Sequence, residues 1–254
     1  MIDIHSHILP GLDDGPRTME ESVAMVRMAA QAGTTDIVAT PHANLEFAFD
    51  PQRVAVKAAE LSAAVGRTIR IHTGCDFHFS YDQIQDALAN PFKYTISGHQ
   101  YLLVEFPDLL IPNTVDGVLA RLLAAGIVPV ITHPERNRRL QEQRERLEEW
   151  VRVGCLIQVT AQSLFGRFGS AARDFSRELM RRDLVDFIAS DAHDCEDRPP
   201  RLDETYGYVA RQYGPERATR LLVTNPGAAL DGSPVEPPPP VSTPLQRWGF
   251  GFRD

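Results

Sequence analysis

Cysteine is scarce in this sequence of 254 residues: Cys75, Cys155 and Cys195 are an odd number with no close pairing. That argues against a disulfide framework and suits a reducing compartment. Positive charge is also in deficit, with 26 Lys and Arg against 34 Asp and Glu, a formal net charge of −8. The chain as a whole therefore repels nucleic acid and anionic lipid. No apolar run is long enough for a membrane span, and the start has neither the basic segment nor the apolar stretch of a signal peptide. A cytoplasmic protein is the expectation. There is no internal repeat. What remains is ordinary globular material, 43% hydrophobic and 24% charged, in a length that suits one large domain or two small ones.

Short apolar, β-branched runs alternate with stretches of helical period. The predicted strands are residues 2–4, 35–40, 69–73, 101–106, 127–132, 155–160 and 185–190. The first helix is marked by Thr18 and Glu21, a T-x-x-E capping box, and stops at Gly33; another over 115–126 ends at Gly126. Strands alternating with helices imply a parallel sheet, and about seven such units favour a barrel over an open sheet. The last residues differ. "DGSPVEPPPPVSTP" (231–244) reads as an extended, poorly packed linker, followed by an aromatic tail with Trp248, Phe250 and Phe252. The predicted division is a barrel over 1–230 and a tail over 231–254.

The opening "MIDIHSHILPGLDDGP" places His5, His7, Asp13 and Asp14 directly behind strand one. Other polar residues repeat that placement. His42 and Asp76 follow strands two and three, Glu105 ends strand four, His133 follows strand five, and Asp191 and His193 follow strand seven. Eight nitrogen and oxygen donors thus meet at the carboxyl ends of parallel strands, the face where barrels build active sites. Asp14 adds a ninth.

A single histidine behind a strand is more often a hydrogen-bonded surface residue than a ligand. His72, His78 and His99 are read that way, the latter two as loop residues without an acidic or histidine partner. The Asp-Asp pair alone would make an unremarkable turn into Gly15-Pro16. Chance placement accounts poorly for the whole set. Nine donors exceed the needs of one ion and fit two or three, with Glu105 or Asp76 bridging. The lack of sulfur points to manganese, iron or zinc. Clustered divalent ions suit hydrolysis at phosphorus, where they activate water and stabilise the attacking and leaving oxygens.

Arg136 and Arg198, three and five residues past His133 and His193, offer planar forks for phosphate oxygens. For Arg136 the competing reading is a solvated helix start inside "ERNRRLQEQRER". "CEDRPPR" (195–201) has the C-x5-R spacing of a cysteine-dependent phosphatase loop. Its Pro199 and Pro200 lack the N–H groups that would cradle an anion, and Glu196 and Asp197 would repel one.

With these motifs in view, the sequence resembles the polymerase-and-histidinol-phosphatase (PHP) superfamily. Within it, the chain is similar to the bacterial metal-dependent protein-tyrosine phosphatases of capsule and exopolysaccharide operons. "IDIHSHILPGLDDGP", "ATPHAN", "LLVEFP", "ITHPERN", "ASDAHD" with "RPP", and "NPG" carry the likeness in that order over residues 1 to about 230. The resemblance implies a distorted seven-stranded, TIM-like (β/α)7 barrel holding three metal ions, usually manganese. It implies ligands at His5, His7, Asp14, His42, Glu105, His133, Asp191 and His193, and phosphate contacts at Arg136 and Arg198. Asp76 departs from the pattern, since the narrower group often has glutamate there, one methylene longer. The implied reaction is hydrolysis of phosphotyrosine. The implied partner is the tyrosine-rich tail of a membrane-associated kinase that controls polysaccharide export. Two other readings stand beside it: a small-molecule phosphomonoesterase of histidinol-phosphatase type, and a non-catalytic metal-binding module like the inactive barrels attached to some polymerases.

Overall fold

Local signals set the helices, and strand pairing sets everything else. A computed structural model describes residues 1–90, 92–108 and 110–236. The order is β1 (Ile2–Ser6), α1 (Met19–Gln31), β2 (Asp36–Ala39), β3 (His42–Ala43), α2 (Pro51–Val65), β4 (Arg70–Thr73), β5 (Asp76–His78), α3 (Tyr81–Ala89), β6 (Tyr101–Glu105), α4 (Val115–Ala124), β7 (Val128–Thr132), α5 (Arg138–Glu142), α6 (Arg144–Arg152), β8 (Leu156–Thr160), α7 (Gly169–Arg181), β9 (Phe187–Ala189), α8 (Asp203–Tyr213), α9 (Pro215–Thr219) and α10 (Asn225–Asp231). The Thr18 box forms as predicted: Thr18 Oγ1 accepts from Glu21 N, and Glu21 Oε2 accepts from Thr18 N. Such caps contribute about 1 kcal/mol. Asp50 caps α2 without a reciprocal box, its carboxylate accepting from Gln52 N and Arg53 N ahead of Pro51 at the first turn.

Every strand pairing is parallel. The strands form two sheets, β1-β2-β4 and β3-β5-β6-β7-β8-β9. All seven predicted runs are present, and the structure corrects two loops. The residues behind runs two and three are not loops but short strands, β3 and β5, which pair through His42 and Asp76. Two- and three-residue strands carry no readable alternation, and the breaks before them fall at Pro41 and Gly74-Cys75.

At those breaks the chain passes from the first sheet to the second, and the backbone stays bonded throughout. Gly74 N donates to Ala39 O (2.9 Å), and Asp76 N donates to Pro41 O (3.1 Å). The opposite seam joins β1 to β9 through a parallel Ser6–Ala192 bridge, with His7 N donating to Ala192 O and Asp191 N to His5 O, both at 2.8 Å. Both junctions together close the sheets on themselves. Seven strand segments result, two of them interrupted.

Three apolar clusters fill the structure. The largest packs Phe77, Val104, Ile131 and Trp150 under the outer helices; a second lies between β2 and helices α1 and α2. The third is the inner one, with Ile4, Val38, Leu103, Val130 and Phe187 set against Ala229 and Leu230 of α10. Side chains alternate along a strand, so residues two apart share a face. On β6, Tyr101 and Leu103 enter the inner cluster, and Glu105 follows them on that face. The inner face thus turns from apolar to acidic at its carboxyl end.

Beyond α10, Gln100 donates to Gly232 O (3.0 Å), Tyr101 Oη to Ser233 O (2.6 Å), and Val235 N to Tyr101 Oη (3.1 Å). The first residues of the proline-rich stretch therefore rest on the start of β6. Residues 237–254, including Trp248, Phe250 and Phe252, lie outside the described residues.

Candidate metal centre

The closing seam is also where the predicted donors gather. Their atoms form three overlapping groups: His7, Asp14, His42 and His193; His5, His7 and Asp76; His42, Asp76 and Glu105. Within each group the donor atoms lie within 4.8 Å of one another. His7, His42 and Asp76 each belong to two groups. Of the nine predicted ligands, His133 and Asp191 fall outside these groups, though both are close by. His133 Nε2 is 3.8 Å from Glu105 Oε1, and Asp191 Oδ1 is 3.4 Å from His5 Nε2 and 3.5 Å from His7 Nε2.

Both outliers share a backbone peculiarity. His133 (φ 33°) and Asp191 (φ 52°) occupy the left-handed region that side-chain-bearing residues seldom adopt. Their backbone amides are held all the same, His133 N by Gln158 O and Asp191 N by His5 O. Strain of this kind costs on the order of 1–3 kcal/mol and persists only where its surroundings enforce it.

The donor set fits divalent cations. His42 Nδ1 and Asp76 Oδ2 approach to 3.1 Å, yet neither makes a hydrogen bond. Asp76 Oδ1 and His193 Nε2 are likewise buried without a hydrogen-bond partner. Buried polar atoms rarely go unpaired, and a carboxylate with both oxygens orphaned among imidazoles calls for a cation. Nitrogen and oxygen donors alone are the set that manganese, iron and zinc accept. Aspartate at position 76 is long enough to reach the cluster, since its Oδ2 lies 3.6 Å from His5 Nε2 and 3.1 Å from His42 Nδ1.

Electrostatics reinforce the cluster. Burial pushes the Asp191 carboxyl up, but His5, His7 and the Arg136 and Arg198 guanidinium groups hold it well below the usual carboxylate range. The imidazoles of His193 and His42, whose Nε2 atoms lie 3.3 and 3.4 Å from Asp14 Oδ1, hold the Asp14 carboxyl below its usual range. Burial, with Arg136 nearby, lowers His133 to about 4, which keeps it neutral and able to donate its lone pair.

Asp13, which the sequence sets beside Asp14 behind strand one, and Gln158, which it does not single out, support the donors. Asp13 Oδ2 accepts from His7 Nδ1 (2.7 Å) and from His42 N (3.1 Å), while its Oδ1 accepts from Gly15 N (3.0 Å). Asp13 thus orients His7 and leaves Asp14 to face the cluster. The turn is tight enough to need glycine, because a Cβ on Gly15 would stand 2.5 Å from His7 O. Gln158 Oε1 lies 2.9 Å from His5 Nδ1 and plays the same part there. Such outer partners fix the ring orientation of ligating histidines. The sequence signals were present: an acid doubled beside a ligand, and one polar residue on the inner face of an apolar strand.

His78 is a correction. It lies in β5 opposite Glu105, with its Nδ1 3.5 Å from Glu105 Oε2, so it has the acidic partner it was expected to lack. Strand register made that neighbour. His72 keeps its ordinary reading, bonded to Asp36 (2.9 Å), and His99 sits against Gly232.

Arg136 and Arg198 both reach the cluster, each bonded to Asp191 Oδ2, Arg198 Nη2 at 2.5 Å. The solvated-helix reading of Arg136 does not hold. A recess of about 100 Å³ is lined by Glu105, Thr132, His133 and Arg136. A larger cavity of about 500 Å³ adjoins Asp14 and His193 on the other side, bounded by Arg17, Glu21, Cys195 and Glu196. Burial, then Asp194 and Glu196, pushes the Cys195 thiol up, the opposite of what a nucleophilic thiolate needs.

A family model described as capsular polysaccharide synthesis, CpsB/CapC, matches residues 1–231. The chain belongs to the CpsB/CapC family. Family relatives include the tyrosine-protein phosphatase YwqE of Bacillus subtilis (strain 168), 33% identical over 99% of this chain and 100% of its own length. The tyrosine-protein phosphatase CpsB of Streptococcus pneumoniae is 31% identical over 89% of this chain and 96% of its own. A solved structure from work on YwqE and CpsB, described as unique metal-dependent tyrosine phosphatases, superposes with a TM-score of 0.87 at 31% identity, covering 94% of this chain and 98% of that one. A β-aspartyl dipeptidase from Fervidobacterium islandicum AW-1 shares the fold alone, with a TM-score of 0.55 at 16% identity, covering 90% of this chain and 72% of that one.

Proposed function

We propose that this chain is a metal-dependent protein-tyrosine phosphatase. The observation that carries the reading is the convergence of buried, unpartnered imidazole and carboxylate donors beside two arginines. His5, His7, Asp14, His42, Asp76, Glu105, His133, Asp191 and His193 would hold two or three divalent ions, manganese foremost. When bound, the ions supply the Lewis acidity that activates water and draws charge from phosphorus. Arg136 and Arg198 bind the non-bridging phosphate oxygens and orient the ester for in-line attack, with the tyrosine phenolate leaving. Asp13 and Gln158 hold His7 and His5 in the orientation that turns Nε2 inward. The thiol of Cys195 has no covalent role.

The fitting substrate is a phosphotyrosine segment, with the tail of a membrane-associated tyrosine kinase of polysaccharide export as partner. Among the described residues no helix is long and apolar enough to cross a membrane. The encounter with the kinase tail would take place on the cytoplasmic side. The deciding experiment compares kcat/KM for a phosphotyrosine peptide, histidinol phosphate and a dinucleotide with added manganese, before and after chelation. Preference for the phosphopeptide, lost on chelation and restored by manganese, is the expected result. Preference for histidinol phosphate would replace the protein-phosphatase reading with the small-molecule one.

A further inference from the structure

The turn "GRFG" (166–169) between β8 and α7 has no part in the proposed metal chemistry, and its side chains are placed oddly for a helix start. Phe168 occupies the N-cap of α7 and makes no capping hydrogen bond, although Ser, Thr, Asp and Asn are the residues that stabilise that position. Nor is Phe168 core filler. Among the described residues it joins none of the three apolar clusters and is only half-buried.

Its ring faces cations instead. The Arg136 guanidinium carbon lies 4.3 Å from the Phe168 ring centroid and that of Arg198 lies 6.0 Å from it. Both are within cation–π range. The neighbouring residue ties this turn to the loop that carries Arg198: Arg167 Nε donates to Asp197 O (3.2 Å) and Nη2 to Glu196 O (3.0 Å). Gly166 (φ +86°) and Gly169 (φ +90°) bracket the pair in the left-handed region, which lets the chain present Arg167 and Phe168 in succession. The two arginines come from different loops, behind β7 and behind β9. They share two contacts: Asp191 Oδ2, and this ring. Arg198 Nε is buried with no hydrogen-bond partner, so hydrogen bonds alone do not fix its plane.

We propose that Phe168 is a positioning residue, its ring being the platform that holds Arg136 and Arg198 in register for phosphate. The inference rests on the reading of those arginines as phosphate contacts. Its test uses inorganic phosphate as the probe, which is independent of the ester the enzyme prefers. In the full-length, manganese-loaded protein, Phe168→Leu keeps apolar bulk and removes the π face, whereas Phe168→Tyr keeps the face.

Phosphate Kd measured by calorimetry should rise about tenfold in Phe168→Leu. It should stay within about twofold in Phe168→Tyr, and both variants should hold the parent's metal content. Parent-like phosphate affinity in Phe168→Leu, or equal losses in both variants, would overturn the inference. So would metal loss that tracks the loss of phosphate. Arg136→Ala separates the platform from the arginines it supports. If it weakens phosphate binding while Phe168→Leu does not, the platform fails and the arginine reading stands. If Arg136→Ala binds phosphate like the parent, the arginine reading fails and the platform falls with it.

Discussion

Histidine and aspartate are set together twice in this protein, once at the start of the strands and once at their ends. At the start, Asp36 on β2 accepts from Arg70 Nε (2.6 Å) and Nη2 (2.7 Å), His72 Nε2 (2.9 Å) and Thr35 Oγ1 (2.9 Å). Its oxygens are saturated, and the site is complete in itself. At the strand ends Asp76 is as deeply buried and has three imidazole donors of the cluster around it, yet both of its oxygens lack a hydrogen-bond partner. Residue type does not separate the two regions. Hydrogen bonding does: the first group supplies a donor to each of its carboxylate oxygens, and the second leaves both Asp76 oxygens without one.

The largest effect expected of this contrast is on metal. His5→Ala should abolish turnover and lower bound manganese, with the circular dichroism spectrum retained, whereas His72→Ala should leave both metal content and turnover at parent values. Full metal occupancy in an inactive, folded His5→Ala protein would remove His5 from the ligand set. Loss of metal in His72→Ala would erase the distinction between the regions.

A smaller change tests the arginines. Arg136→Lys keeps the charge but not the fork, so kcat/KM should fall by about 10- to 100-fold at unchanged metal content. Kinetics equal to the parent's would show that point charge suffices there.

The smallest effect belongs to the saturated end. Burial raises the Asp36 carboxyl, but Arg70, His72 and Thr35 bring it down to about 2. A carboxylate lowered in the folded state stabilises the fold above its unfolded value of about 3.9 and loses that contribution as pH falls through the folded value. Asp36→Asn should therefore lower Tm at pH 7, and the gap to the parent should close between about pH 4 and pH 2. A gap that stayed constant over that window would mean that Asp36 acts by shape and not by charge.

Much of the site was legible because barrels place chemistry at strand ends, and the strands were readable by their apolar runs. Position alone then singled out His5, His42, Glu105 and Asp191. What failed depended on pairing between distant segments. His78 looked isolated because its partner, Glu105, is 27 residues away and is brought opposite by the β5–β6 register. β3 and β5 looked like loops because so few residues give no period. Arg136 lay in a run of charges, and only the turn at His133 aims it at Asp191 rather than at water.

The sequence by itself determined the parallel α/β order, the capped helices and the inventory of donors, since these rest on local propensity and short-range spacing. Tertiary structure decided which donors meet. It closed the two seams, gave Asp13 to His7 and Asp14 to the cluster, and held His133 and Asp191 in left-handed backbone. Those outcomes follow from contacts between distant segments, such as Ser190 Oγ donating to Asp3 across 187 residues. Local preference opposes some of them, and only the summed packing of the closed sheet outweighs it.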